Sequence, residues 1–184
     1  MIGDILVMNS TRGGIFSSLQ RFFTRMPFTH TAIDSGNFQS RATFFGADMV
    51  ATVVPQSRVI SDPTIAYTIF RPIFGGAVVF DVECIFERYA GNGYGFTQLF
   101  YFVWRWFFRL LHIDIRKRRN PFPSGDICSE IVYEYIKRLA VKVRDYQLLD
   151  YLAQWNENTI HAGDIYTICS AFPEKFKFLE QRNV

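Results

Sequence analysis

Cysteine is scarce in this 184-residue chain: there are three, at 84, 128 and 169. No two form a Cys-x-x-Cys pair. An odd number at such wide spacing excludes a disulfide framework or a zinc knuckle, so all three read as free thiols in a reducing compartment. An excess of one charge is also missing. With 20 Lys and Arg against 17 Asp and Glu, the net charge is +3, too small to imply a nucleic acid as partner. The first ten residues, MIGDILVMNS, lack the basic segment and long apolar run of a signal peptide. The most apolar stretch, FTQLFYFVWRWFFRLLHI at 96–113, would reach only about 27 Å as a helix and includes Arg105 and Arg109, which argues against a transmembrane span. No nucleotide-binding loop or metal-ligand spacing occurs, so no cofactor is expected. A cytoplasmic protein is the expectation that remains.

Apolar residues, by contrast, make up 49% of the chain and aromatic ones 17%, with 20 Phe among them. That is enough for a globular core and leaves a surplus for a binding surface. Composition does not change along the sequence and no repeat is found, so a single domain over 1–184 is expected.

Residues 4–9, DILVMN, suit a buried strand closed by a polar, glycine-containing loop. Residues 15–25 place Ile15, Leu19, Phe22 and Phe23 near helical spacing. The alternation in THTAID (29–34), a turn at Ser35-Gly36-Asn37 and a β-branched, aromatic stretch to Val54 predict a hairpin running on into a third strand. Residues 64–73 form another strand candidate, and 79–90 a helix that would hold Cys84 as a small core residue. In 96–113, Gln98, Tyr101, Arg105, Arg109 and His112 recur along one helical stripe, and the other faces are Leu, Phe, Val and Trp. A helix with this composition, followed by Arg116-Lys117-Arg118-Arg119, fits either a core helix covering the sheet or contact with a membrane surface through 96–119. The next helix begins near Cys128, with Ile127, Ile131, Tyr135 and Leu139 on its inner face. The C-terminal HAGDIYTI reads as a Gly-Asp turn and a short apolar segment.

Cys128 stands where a proline- and glycine-rich loop turns into a helix. There, unpaired N–H groups and the partial positive charge of the helix end favour a thiolate, the reactive form. Asp126 is a plausible N-cap. Free cysteine is also among the most buried residue types, so plain packing competes with chemistry at Cys128 and is the reading for Cys84 and Cys169. A cysteine nucleophile needs a base, and the chain has only His30, His112 and His161. His30 begins an alternating strand, a rigid place for an imidazole. His112 belongs to the polar helical stripe and His161 to a loop before Gly163.

GDILVMN, FTHTAID and ICSEIVYEYI, together with GYGFTQLF and HAGDIYTI, resemble the circularly permuted branch of the NlpC/P60 superfamily, the YiiX/YebB-like proteins. In that branch the histidine precedes the cysteine. The resemblance covers most of the chain and implies an α+β, permuted papain-like fold with an antiparallel sheet packed against helices. It also implies Cys128 as nucleophile and His30 as general base, acting on an acyl carbon through a thioester, with backbone N–H groups near Cys128 facing the oxyanion. The family often carries a Glu after the histidine strand, and Gly46 stands in its place here. Asp48, two residues on, is the first candidate to orient His30. Thr43 is the alternative, if a two-residue turn at Gly36-Asn37 pairs it with His30. The implied activity is that of a cysteine hydrolase, with either cell-wall peptides or acyl lipids as substrate. The alternative is an inactive papain-like binding or virion protein, and a virion-associated location is an expectation only through this resemblance.

Overall fold

In the computed structural model, residues 1–10, 18, 21–23, 25–38, 41–47, 51–74, 77–92, 99–115 and 128–183 are described. The elements are β1 (Ile5–Ser10), β2 (His30–Phe38), β3 (Arg41–Ala47), β4 (Ala51–Pro55), α1 (Gln56–Ile60), β5 (Ile65–Pro72), α2 (Ala77–Tyr89), α3 (Leu99–Leu110), α4 (Cys128–Lys142), α5 (Tyr146–Leu152), α6 (Ala162–Ala171) and β6 (Phe176–Arg182). The six strands form one antiparallel sheet in the order β4-β3-β2-β1-β5-β6. This is the expected α+β class, a sheet packed against helices.

Alternation along the strands gives the sheet two apolar faces. Ile5, Val7, Ile33, Phe45 and Phe70 join the larger core with the inner residues of α4, including Ile131, Tyr135 and Leu139. On the other side Leu6, Met8, Ala32, Phe44, Tyr67 and Ile69 pack with Val59 of α1. Helix α4 ends in a Schellman arrangement with Arg144 in the left-handed region at φ 57°. The Asp145 N–H donates to the Ala140 carbonyl at 2.8 Å and the Arg144 N–H to Val141 at 3.1 Å. The Asp145 carboxylate then accepts the Leu148 N–H at 3.0 Å, capping α5.

The hairpin differs from expectation in one respect. Strand β2 runs through Ser35-Gly36-Asn37 instead of turning there, and a bulge between Asp34 and Gly36 shifts its register on β3. Gly36 takes φ 76°, and a Cβ there would collide with Ile2, so glycine serves the bulge. Helices α1, α5 and α6 and strand β6 were not anticipated as such. The expected helix at 15–25 lies largely outside the described residues, of which 21–23 are helical.

The Gly3-Asp4 motif anchors β1. Gly3 adopts φ 87°, its carbonyl accepts the Tyr135 hydroxyl at 3.1 Å, and a Cβ would meet Val78 Cγ1 and Tyr135 Oη. Asp4 is buried and receives Arg71 at two positions, both 2.8 Å. Gly3→Ala is therefore expected to cost about 2–4 kcal/mol, from overpacking and the left-handed backbone. Tyr135→Phe should cost only about 1 kcal/mol, the usual net value of one hydrogen bond. Denaturant midpoints at unchanged slope would check the ranking.

Candidate active site

Cys128 is the first residue of α4 and is 3% exposed. Its neighbour Ser129 fixes the helix start: the buried hydroxyl donates to the Ile160 carbonyl at 2.7 Å. Asp126, the expected cap, lies outside the described residues. His30, the first residue of β2, pairs with Met8 of β1 and is half-buried. The fold brings these two together, about a hundred residues apart in sequence. Burial alone would push the Cys128 thiol up, but charge interaction with His30 and a hydrogen bond to it outweigh that, helped by the Thr31 backbone and hydroxyl. The thiol is thus held below its ordinary range. The Thr31 hydroxyl faces the sulfur without a well-formed hydrogen bond of its own.

Cys169 provides the comparison. It is equally buried, on α6, and burial alone pushes its thiol up. Depth alone therefore does not lower the thiol of Cys128; its charged and hydrogen-bonding neighbours do. Cys84 is half-buried on α2.

Asp48, the first candidate to orient the imidazole, lies outside the described residues. The case for Thr43 is corrected by the register: Thr43 pairs with Gly36, not His30. Six residues of β2, or about 20 Å of strand, separate that position from His30. The Thr43 hydroxyl is engaged locally, 2.8 Å from Ser35 Oγ and donating to the Gly36 carbonyl at 3.1 Å.

His161 occupies a helix cap, not a loop. Its Nδ1 accepts the Asp164 N–H at 3.3 Å while its own N–H donates to Asp164 Oδ2 at 3.1 Å, a capping box that starts α6. Asp164 also holds Arg105 of α3 through bonds of 2.8 and 3.3 Å. Burial, with Arg105 and Arg109 adding to it against the pull of Asp164, lowers the His161 imidazole to about 4. It is neutral at pH 7. Gly163 is the second residue of this helix, and Met26, four residues before His30, packs where a Cβ would stand. These groups border a cleft of about 490 Å³ between α3 and the start of α6, with Arg105, Arg109, His112 and Trp155 in its lining. His161, also in the lining, directly follows Ile160, the acceptor of the Ser129 bond. Sequence reasoning missed this cluster because histidine is not among the preferred capping residues.

His161 gives the fold an acid limit. The unfolded chain takes up a proton near 6.5 and the folded one only near 4. Stability is therefore present above pH 6.5 and is lost as pH falls through that window, by roughly 3 kcal/mol in all. His161→Asn keeps an N-cap acceptor and should flatten the fall between pH 6.5 and 4. Urea melts at stepped pH would show whether it does.

No family model matches the chain, and no curated protein does. Among solved structures, one of similar fold is the crystal structure of the metalloprotein YiiX from Escherichia coli O157:H7, with 16% identity, a TM-score of 0.55 and coverage of 99% of this chain and 97% of that one. Among the described residues here, no group of three or more His, Cys, Asp or Glu is gathered as metal ligands would be. The similarity to YiiX shows a shared α+β fold along nearly the whole chain.

Proposed function

We propose that the protein is a cysteine hydrolase cleaving an acyl bond, amide or ester, with Cys128 as nucleophile and His30 as base. One observation carries this reading: the fully buried Cys128 thiol is lowered beside His30 while the equally buried Cys169 thiol is raised. The position at a helix N-terminus adds support, because the free N–H groups of the first turn stabilise an anion there.

The chemistry follows from the two groups. His30 takes the thiol proton, and Sγ bonds to the acyl carbon, giving a tetrahedral oxyanion that faces the N–H groups of α4's first turn. His30 returns the proton to the leaving nitrogen or oxygen as the carbon–heteroatom bond breaks, leaving a thioester. Water, deprotonated by His30, then attacks the same carbon, and the acid and free thiol leave. Asp48 is proposed to orient the imidazole. Peptides and acyl lipids are the two substrate classes compatible with this chemistry.

Iodoacetamide labelling across pH tests the pair. Cys128 should react with a midpoint below the free-thiol value of about 8.5, and Cys169 should not react in the native protein. His30→Ala should raise the midpoint by more than one pH unit and slow labelling at pH 7 about tenfold or more. Asp48→Asn should slow it more than Thr43→Val does. With short p-nitrophenyl esters and peptide amides, an acyl mass should appear on Cys128, and Cys128→Ala should lower turnover by roughly a thousandfold. A native Cys128 that does not react would overturn this reading in favour of a non-catalytic papain-like binding protein.

A further inference from the structure

Helix α3 leaves an apolar stripe exposed. In a surface helix of a globular protein the apolar stripe faces the core and the charged residues face water. Here Tyr101 is 1% exposed, with its hydroxyl donating to the Ile115 carbonyl at 3.0 Å, and Arg105 reaches inward to Asp164. Arg109 lines the cleft beside it. Outward, at steps of three and four residues, stand Phe100, Val103, Trp104, Phe107, Leu110 and Leu111. Phe100 is 65% exposed, Phe107 50% and Leu111 53%. At 3.6 residues per turn these six lie on one stripe roughly 120° wide, with no polar residue within it. Isolated exposed apolar residues are ordinary; a continuous aromatic and aliphatic stripe marks a surface with a partner.

We propose that this outer face of α3 docks the protein onto an anionic lipid bilayer, lying in the interface and not spanning it. Among the described residues no helix is long and apolar enough to cross a membrane. Charge decides between lipid and a second copy of the chain. Arg116-Lys117-Arg118-Arg119 follows six residues after the helix; that run lies outside the described residues and enters as sequence alone. A second copy carries the same net charge of +3 and the same basic run and so offers no complementary charge, whereas anionic headgroups do. Trp, Phe and Leu directed outward, followed in sequence by a run of Arg and Lys, form the composition of an interfacial helix. The inward orientation of Arg105 is what frees this face. The inference does not depend on catalysis and would survive the loss of the hydrolase reading.

Flotation with phosphatidylcholine vesicles and with vesicles carrying phosphatidylserine tests it on the intact protein. Binding is expected to the second kind, and to fall at least fivefold when salt is raised from 0.1 to 0.5 M. Because Phe107 is exposed, Phe107→Glu should leave the thermal melt unchanged and weaken binding at least tenfold. Brominated acyl chains should quench Trp104, and Trp104→Phe should retain binding while losing most of that quenching. Two results would overturn the proposal: no binding to either vesicle, or a protein that sediments as a dimer and becomes monomeric in Phe107→Glu, which would assign the stripe to a second copy.

Discussion

Burial of α4 against the sheet is the constraint on which everything else here depends. Ile131, Tyr135, Ile136 and Leu139 are completely covered, so the helix cannot rotate or slide without opening the core, at several kcal/mol for each large side chain uncovered. Its first residue is therefore placed as firmly as its middle. The Ser129 bond to Ile160 and the Tyr135 bond to Gly3 fix the same helix to two distant parts of the chain. A thiol on so rigid an element meets His30 without a loop having to close. The His30 strand shares that rigidity, since β2 lies between β1 and β3 within the sheet.

Much of this was readable in advance, and what was not has physical reasons. Strands β1, β2 and β5 carry strong apolar or alternating patterns, and α4 shows its inner face at spacings of four, so their kinds and approximate positions could be read. The hairpin turn could not. Ser-Gly-Asn has the residues of a turn, yet here Gly36 forms a bulge because Ile2 occupies the space next to it. That contact is long-range and invisible to local signals. The same holds for α6: Gly163 argues against a helix until Met26 is known to need the space, and His161 is an unusual cap. The proximity of His30 and Cys128 was expected from the resemblance, not from spacing, which cannot measure distance through a fold.

Helix α3 shows a different limit of sequence reading. Periodicity identifies two stripes, one with Tyr101, Arg105 and Arg109 and one wholly apolar, but it does not say which faces the protein. The usual assumption puts the apolar side inward, and for a core helix covering the sheet this would hold. The observed choice goes with Asp164, about sixty residues further on, whose buried carboxylate receives Arg105. Taking the cation away from that carboxylate would cost about 3–5 kcal/mol, which fixes the side of α3 that carries Arg105.

Asp164 thus links parts that look independent in sequence. Its backbone and carboxylate build the cap of α6 with His161, and its carboxylate holds Arg105 of α3. The residue just before that cap receives the Ser129 bond that fixes the start of α4. One buried carboxylate therefore ties α3 to the segment that fixes the position of Cys128. A cleft opens at this point, lined by Arg105, Arg109, Asp114, His161 and Asp164. With two arginines set against two aspartates and a neutral His161, its lining is of mixed charge and suits polar groups of either sign.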